Sequence, residues 1–306
     1  MTFTQLEIFV LVAELRGFTS AAMRLSISQS AVSHAIKALE QEMGVELIQR
    51  HQAAIELTDI GARLLLRARE ILGLGETMRQ EAADARGMKR GTLRIGSFGP
   101  SSSLRLLPKL LDEYRKAYPD IEIRIDEGAD LEVIQWIQDR RVDIGFVVLP
   151  EERFDTFPIA EDQLVALLPS SHPLAGQPNV RLEALCDAPF ILTQAGSAAL
   201  VERIFAAAKL VPKIRYRSAQ LISTLGMVER GAGVTILAEL ALPAIDSARP
   251  AAYVTRPLDP PVPRHIGLAV HNQRQASPAT QAFIEIATRL RRQGVLNNAA
   301  RISQAP

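Results

Sequence analysis

Ser30, Ser33, His34, Lys37 and Gln41 recur at a spacing that places them on one side of an α-helix. They are short or basic and rich in hydrogen-bond donors and acceptors, as a helix lying in a DNA major groove requires. On the opposite side run Val32, Ile36, Leu39 and Met43, spaced i, i+4, i+7, i+11, an apolar stripe suited to burial. Ser28 precedes this helix, and its hydroxyl can accept from the unpaired N–H groups of the first turn. Upstream, a short helix over 20–25 sets the small residues Ala21 and Ala22 where a second helix can approach closely. Ser26, Ile27 and Ser28 form the turn between them. An ordinary helical hairpin with a solvated polar face fits the same spacing, so the flanking residues must decide.

Those residues form a dense pattern: Phe18–Thr19, Ala21–Ala22, Leu25, Ser28–Gln29–Ser30–Ala31–Val32–Ser33, Ile36, Leu39–Glu40, Gly44, Leu47, Arg50, Leu57–Thr58 and Gly61. Over roughly the first 65 residues the chain resembles the N-terminal winged helix-turn-helix of LysR-type transcriptional regulators. The rest resembles that family in layout. The resemblance implies contacts to double-stranded promoter or operator DNA from Ser28, Gln29, Ser30, Ser33, His34 and Lys37, with Arg50 and His51 on the wing. His34 stands where family members usually carry arginine; an imidazole reaches less far and carries partial charge, so base preference should differ. The resemblance also implies a homodimer or a homotetramer built as a dimer of dimers.

Ahead of this motif, Thr4-Gln5-Leu6-Glu7 reads as a capping box, with Phe3 and Ile8 as a hydrophobic staple. Leu6, Phe9, Val10 and Ala13 form the buried face of this first helix. Gly44 closes the third helix, and 45–58 reads as two short strands around a wing tip, Arg50-His51-Gln52-Ala53-Ala54. The first 58 residues hold four cations (Arg16, Arg24, Lys37, Arg50) and six anions (Glu7, Glu14, Glu40, Glu42, Glu46, Glu56), a net charge of −2. Phosphate neutralisation normally supplies much of DNA affinity, so binding per subunit should be weak and sensitive to salt. Multimerisation would compensate through effective concentration.

Thr58 and Asp59 then cap a long helix over 60–86. Gly61, Ala68, Gly75 and Ala82 repeat every seven residues, as do Leu64, Ile71, Met78 and Ala85: the two rows of a short coiled coil. A helix packed on its own domain is the plainer alternative. The dimerisation reading assigns the seam to Leu64, Ala68, Ile71, Gly75, Met78 and Ala82. The expected organisation is thus a winged helix-turn-helix over 1–58, a linker helix over 59–87 and a hinge over 88–91. An effector-binding domain over 92–306 completes it.

In that last region strands alternate with helices, which makes the chain a multi-domain α/β protein. A βαβαβ run over 93–149 implies a parallel sheet with right-handed crossovers. A second set follows over 164–237, and a strand at 266–270 and a helix at 278–290 return to the first. Lobe one is placed at about 92–162 and 265–292, lobe two at 163–264. Their cleft is where open α/β folds take ligands. The resemblance implies the same: a two-lobed domain like a periplasmic binding protein.

Residues 96–103, Gly-Ser-Phe-Gly-Pro-Ser-Ser-Ser, lie between the first strand and first helix of lobe one. Hydroxyls and free N–H groups at a helix start favour an anion, typically a carboxylate. Plain helix capping is the alternative. Ser97, Ser101 and Ser102 are the candidates; the loop is one residue longer than the commonest family form, which leaves open which serine faces the cleft. Gly128-Ala129-Asp130 occupies a second family contact, where Ala129 offers only its backbone. Across the cleft, Gln194 and Ser197, in Thr193-Gln194-Ala195-Gly196-Ser197, would grip the other end of a small anionic metabolite.

Other chemistries lack their motifs. The histidines (His34, His51, His172, His265, His271) are scattered, and the sequence holds no HExxH, CxxC, P-loop or G-x-S-x-G elbow. No cofactor and no enzymatic activity are therefore expected. Cys186 is the single cysteine, which fits a reducing cytoplasm; it reads as a small buried hydrophobe in preference to a nucleophile. The apolar run 8–13 is too short to span a membrane and wrongly flanked for a signal peptide. A second functional class stays open: a small-molecule binding protein whose N-terminal helices serve protein–protein contact, favoured by the acidic first domain.

Overall fold

In the computed structural model, which describes residues 1–50, 55–86, 90–194, 198–243 and 252–296, the chain divides into two units. One comprises Met1–Gly91 with Asp139–Arg141, the other Thr92–Gln138 with Val142–Pro306. The side chains of Arg50 and Asp84 lie outside the described residues.

The first unit begins with α1 (Phe3–Leu15), capped by Thr2 and not by Thr4. The Thr2 hydroxyl accepts from the Gln5 N–H at 3.2 Å while the Gln5 side chain accepts from the Thr2 N–H at 2.8 Å. Thr2–Gln5 satisfies the same four-residue pattern as Thr4–Glu7, and starting there lengthens the helix at its N-terminal end. Phe3 is thereby no staple. Its ring instead meets Gly75, where an added Cβ would sit 2.5 Å from it.

Next come α2 (Phe18–Leu25) and α3 (Gln29–Met43). Ala21 and Ala22 are buried and Val32, Ile36 and Leu39 are at most 1% exposed, packing with Leu6, Phe9, Val12 and Leu47. Each large side chain so buried contributes about 1.5–3 kcal/mol of transfer free energy. Met43, assigned above to this stripe, is 38% exposed, because α3 ends there and Gly44 turns the chain away in the left-handed region (φ +69°). Strands β1 (Ile48–Arg50) and β2 (Ile55–Leu57) form an antiparallel hairpin. Glu40 of α3 fixes its base: one carboxylate oxygen accepts from the N–H groups of Leu47 (2.9 Å) and Ile48 (3.3 Å).

The long helix α4 (Asp59–Asp84) is capped by Thr58, whose hydroxyl accepts from the Gly61 N–H at 2.9 Å. Its small residues have a different use from the one expected. A Cβ on Gly61 would lie 2.0 Å from the Leu47 carbonyl oxygen, Ala68 is buried in the winged-helix core, and Gly75 sits under Phe3. Leu64 and Ile71 pack against the same core. The heptad row from 61 to 75 therefore lets α1 and the wing approach α4 within one chain. Of the expected seam, Met78 and Ala82 remain exposed, and Leu66 and Leu74 join them.

The second unit runs β3 (Gly91–Phe98), a π-helical turn (Ser101–Leu106), α5 (Leu107–Ala117), β4 (Ile121–Gly128), α6 (Asp130–Gln138) and β5 (Ile144–Leu149). It continues with β6 (Asp155–Pro169), β7 (Val180–Arg181), α7 (Leu182–Leu185), β8 (Pro189–Thr193), α8 (Ala198–Ala207), β9 (Lys213–Ser218) and α9 (Leu221–Glu229). Finally come β10 (Thr235–Ala238), β11 (Tyr253–Val270) and α10 (Pro278–Arg292). A seven-stranded sheet has the order β10-β6-β11-β5-β3-β4 with β7 beside β11, and β8 and β9 form a separate parallel pair. β3 and β5 are parallel, as the βαβ reading requires.

Two expected short strands, 164–168 and 266–270, are instead parts of the long strands β6 and β11, which pair antiparallel along most of their length. Pro257, Pro260, Pro261 and Pro263 argue for a break, since proline donates no ladder bond. A register shift between Pro257 and Val262 takes up Pro260 and Pro261, while Pro257 and Pro263 stay paired opposite Val165 and Gln163. These strands carry two cores. Ile159, Ala160, Ile266 and Leu268 belong to one cluster with Phe98, Tyr114 and Phe283. Leu164, Ala166, Leu168 and Leu258 belong to another with Phe190, Phe205 and Ile236.

Candidate nucleic-acid interface and interlobe site

The polar side of α3 faces outward. Gln29, Ser30, His34, Lys37 and Gln41 are exposed and Ser33 is half-buried, while the opposite side is core. Ser28 is exposed but has a structural role: its hydroxyl caps the helix by accepting from the Ala31 N–H (3.2 Å) and pairs with the Ser30 hydroxyl (2.9 Å). Arg50 ends β1; its side chain, and all of His51, lie outside the described residues. Among the anions that make this region acidic, Glu40 holds the wing and Glu14 pairs with Arg69 at 3.1 Å. The exposed face of α3 itself thus carries donors and one cation, not the domain's net negative charge.

In the second unit, residues 96–98 are strand, not loop, and the π-helical turn follows at once. A π turn accommodates one residue more than an α turn. The serines then divide. Ser97 is fully buried, donating to Ser102 (2.9 Å) and bonded to Ser103 (2.9 Å); Ser102 is also buried and donates to the Phe98 carbonyl. Both hydroxyls hold the turn together. Ser101 differs: its hydroxyl accepts from the Arg264 guanidinium at 2.8 Å.

Arg264 had no place in the sequence reading and is the centre of this site. It is 2% exposed and stands opposite Asp162 in the β6–β11 register. Its Nη2 donates to the Asp162 carboxylate as well as to Ser101, and its guanidinium carbon lies 5.9 Å from the Phe98 ring centroid. Asp162 also accepts from the N–H groups of Gln163 (2.7 Å) and Leu240 (3.1 Å), so the pair ties both crossing strands to the turn Glu239–Ala241. Nε and Nη1 of Arg264 are buried without a hydrogen-bond partner among the described residues. So is Oδ1 of Asp130, the first residue of α6. Burial pushes the Asp130 carboxyl up to about 6, against the opposing pull of the Arg264 and Arg203 cations and of its own backbone N–H.

The other expected contacts make bonds of their own where they are described. The Ala129 N–H donates to the Glu132 carboxylate at 2.7 Å, so it is already engaged in capping α6. Gln194 is exposed and its N–H donates to the Ser218 carbonyl at 2.8 Å; Ser197 lies outside the described residues. Burial raises the Cys186 thiol, with Asp187 and Glu183 adding to the effect, which disfavours a thiolate nucleophile. Among the described residues no group of His, Cys, Asp and Glu could hold a metal ion, and no helix is long and apolar enough to cross a membrane.

Comparison with known proteins agrees with both halves. Residues 3–62 match the bacterial regulatory helix-turn-helix family of lysR type, and residues 86–291 match the LysR substrate binding domain. The uncharacterized HTH-type transcriptional regulator YvbU of Bacillus subtilis is 35% identical over 95% of this chain and 99% of its own. The structure of HinK, a LysR family regulator from Pseudomonas aeruginosa, is 31% identical, covers 98% of this chain and 99% of its own, and superposes with a TM-score of 0.58. Full-length CbnR, solved in complex with its target DNA, is 25% identical over 94% of this chain and 99% of its own, with a TM-score of 0.61. The chain belongs to the LysR-type regulators: it is a DNA-binding transcriptional regulator with an effector-binding domain. The alternative of an N-terminal protein-interaction module is thereby set aside.

Proposed function

We propose that this regulator reads its operator through Gln29, Ser30, Ser33, His34 and Lys37, and responds to a small effector whose anionic group is held between the two lobes at Ser101 and Arg264. The observation that supports the DNA half is the exposed donor-rich side of α3, backed by a core stripe that fixes which way the helix faces. That CbnR was solved in complex with its target DNA supports DNA binding by a chain of this kind. The effector half rests on a buried guanidinium, two of whose nitrogens have no partner among the described residues, beside a serine hydroxyl.

An effector shifts regulation only if it binds one arrangement of the subunits better than another. The working assembly in this reading is a cytoplasmic homodimer or homotetramer. Its α4 contacts come from the exposed residues Leu66, Leu74, Met78 and Ala82, since Leu64, Ala68, Ile71 and Gly75 are engaged within the chain. Gel-shift titration against the DNA upstream of its own gene, at several salt concentrations, tests the function. Specific binding that falls steeply with salt is expected; the absence of any specific shift at low salt contradicts the proposal.

A further inference from the structure

Among the described residues of the second unit, three buried polar atoms lack partners, and they belong to groups of opposite charge: Nε and Nη1 of Arg264, and Oδ1 of Asp130. A buried donor or acceptor without a partner costs about 1–3 kcal/mol, more when charged, so native proteins seldom leave such groups without a reason. The two side chains come from different parts of the fold. Arg264 lies on β11, where the side chains pass from one core cluster to the other. Asp130 follows β4, and Ser101 follows β3, its neighbour in the sheet. The ends of such strands are where α/β folds take ligands. Arg264 and Asp130 are also near enough for the guanidinium charge to act on the carboxyl, with Arg203 of α8 acting from lobe two.

The chemistry of these atoms limits what can satisfy them. Nε–H and Nη1–H only donate, so they take an anion or a carbonyl; Oδ1 of an ionised aspartate only accepts, so it takes an N–H or O–H. A plain monocarboxylate would satisfy Arg264 and bring a second negative charge toward Asp130, and a plain amine would do the reverse at the guanidinium. A molecule carrying both groups satisfies all three atoms and adds no net charge to a water-poor site. We infer that the effector is a small zwitterion, an amino acid or a close derivative, whose carboxylate is held by Arg264 and Ser101 and whose ammonium is held by Asp130. This rests on the reading of the interlobe site as the effector site and assigns the ligand class to it.

The test uses the full-length protein and a panel of L-amino acids, each matched with the carboxylic acid that lacks its amino group. Binding is followed by titration calorimetry and by the fluorescence of Trp136, the only tryptophan, which lies on α6 beyond Asp130. At least one amino acid is expected to bind about tenfold or more tightly than its matched acid, the loss of one charge-assisted bond. Asp130→Asn should reduce that preference to about threefold or less. Removing Arg264 alone would leave Asp162 buried and unpaired, so Arg264 is replaced together with Asp162, as Arg264→Gln/Asp162→Asn, with circular dichroism to establish folding. This pair should weaken the amino acid and the acid alike, by about tenfold or more.

Equal binding of amino acids and their matched acids by the wild-type protein, or a preference that survives Asp130→Asn, overturns the zwitterion inference. The interlobe reading would still stand if the Arg264 pair weakened both. Binding that neither replacement alters overturns the interlobe reading itself. Matched acids that bind while no amino acid does overturn the inference and keep an anion site, and a panel in which nothing binds overturns the inference outright.

Discussion

The two ends of this regulator present their chemistry in opposite ways. On α3 the polar groups point outward and the helix is held from behind, by Val32, Ile36 and Leu39 in a core shared with α1 and α2. In the interlobe site the charged groups are themselves interior, and Arg264 is as buried as the hydrophobic core around it. A surface that must meet many DNA sequences in competition with water carries exposed donors on a rigid support. A site that must recognise one small molecule removes water and leaves a few uncompensated groups for the ligand to complete. Damage should therefore show as lost binding with an intact fold in the first region, and as lost stability in the second.

The largest expected effect is at Arg264. Arg264→Ala leaves Asp162 charged, buried and short of its partner, which costs about 3–5 kcal/mol, read as a fall in the denaturant midpoint of the effector domain. Replacing the pair together as Arg264→Gln/Asp162→Asn should recover more than half of that loss. A single replacement no worse than the double would show that the two groups are not coupled.

Asp130 comes next, with the opposite sign. Its folded-state pKa, about 6, is above the ordinary 3.8, so its protonated form is the one that the fold favours. That contribution is complete below about pH 4 and is lost as pH rises through 6, amounting to about 3 kcal/mol by pH 8. An asparagine at this position has no proton to lose, so Asp130→Asn should match the wild type at pH 4 and be more stable at pH 8. Thermal unfolding across that range measures the difference; an unchanged gap between pH 4 and 8 would show that the carboxylate carries no such penalty. Smaller again is Ser28→Ala, which deletes the N-cap of α3 and should cost about 1 kcal/mol in thermal stability.

The same contrast explains what was legible in the sequence. The α3 face could be read because its signal is local: a cap, a stripe at helical spacing and a polar face, all within one short stretch. The α/β alternation was equally plain. What the residues do in the interlobe site was not legible. Arg264, Asp162 and Ser101 are far apart in the chain, and only the pairing of β6 with β11 and the reach of the Arg264 guanidinium bring them together, while Asp130 lies just past β4, the neighbour of β3 in the sheet. Composition also misled in one place. Gly61, Ala68 and Gly75 permit close approach, but spacing cannot say whether the approaching helix belongs to a second chain; here Leu47 and Phe3 of the same chain fill the space. The Ala129 backbone was misjudged for a related reason, because the capping role of Glu132 is visible only once α6 is in place.

In the proposed mode of binding, the outward side of α3 reads DNA while its other side belongs to the core. Gel-shift titration of a Ser33→Ala/Lys37→Ala variant on operator DNA tests it most directly, alongside circular dichroism. The expected result is a native spectrum and melting temperature with specific binding abolished; the loss of the Lys37 charge should also lower the salt slope of any residual binding by about 1. A folded variant that binds the operator with wild-type affinity and salt dependence would contradict the claim.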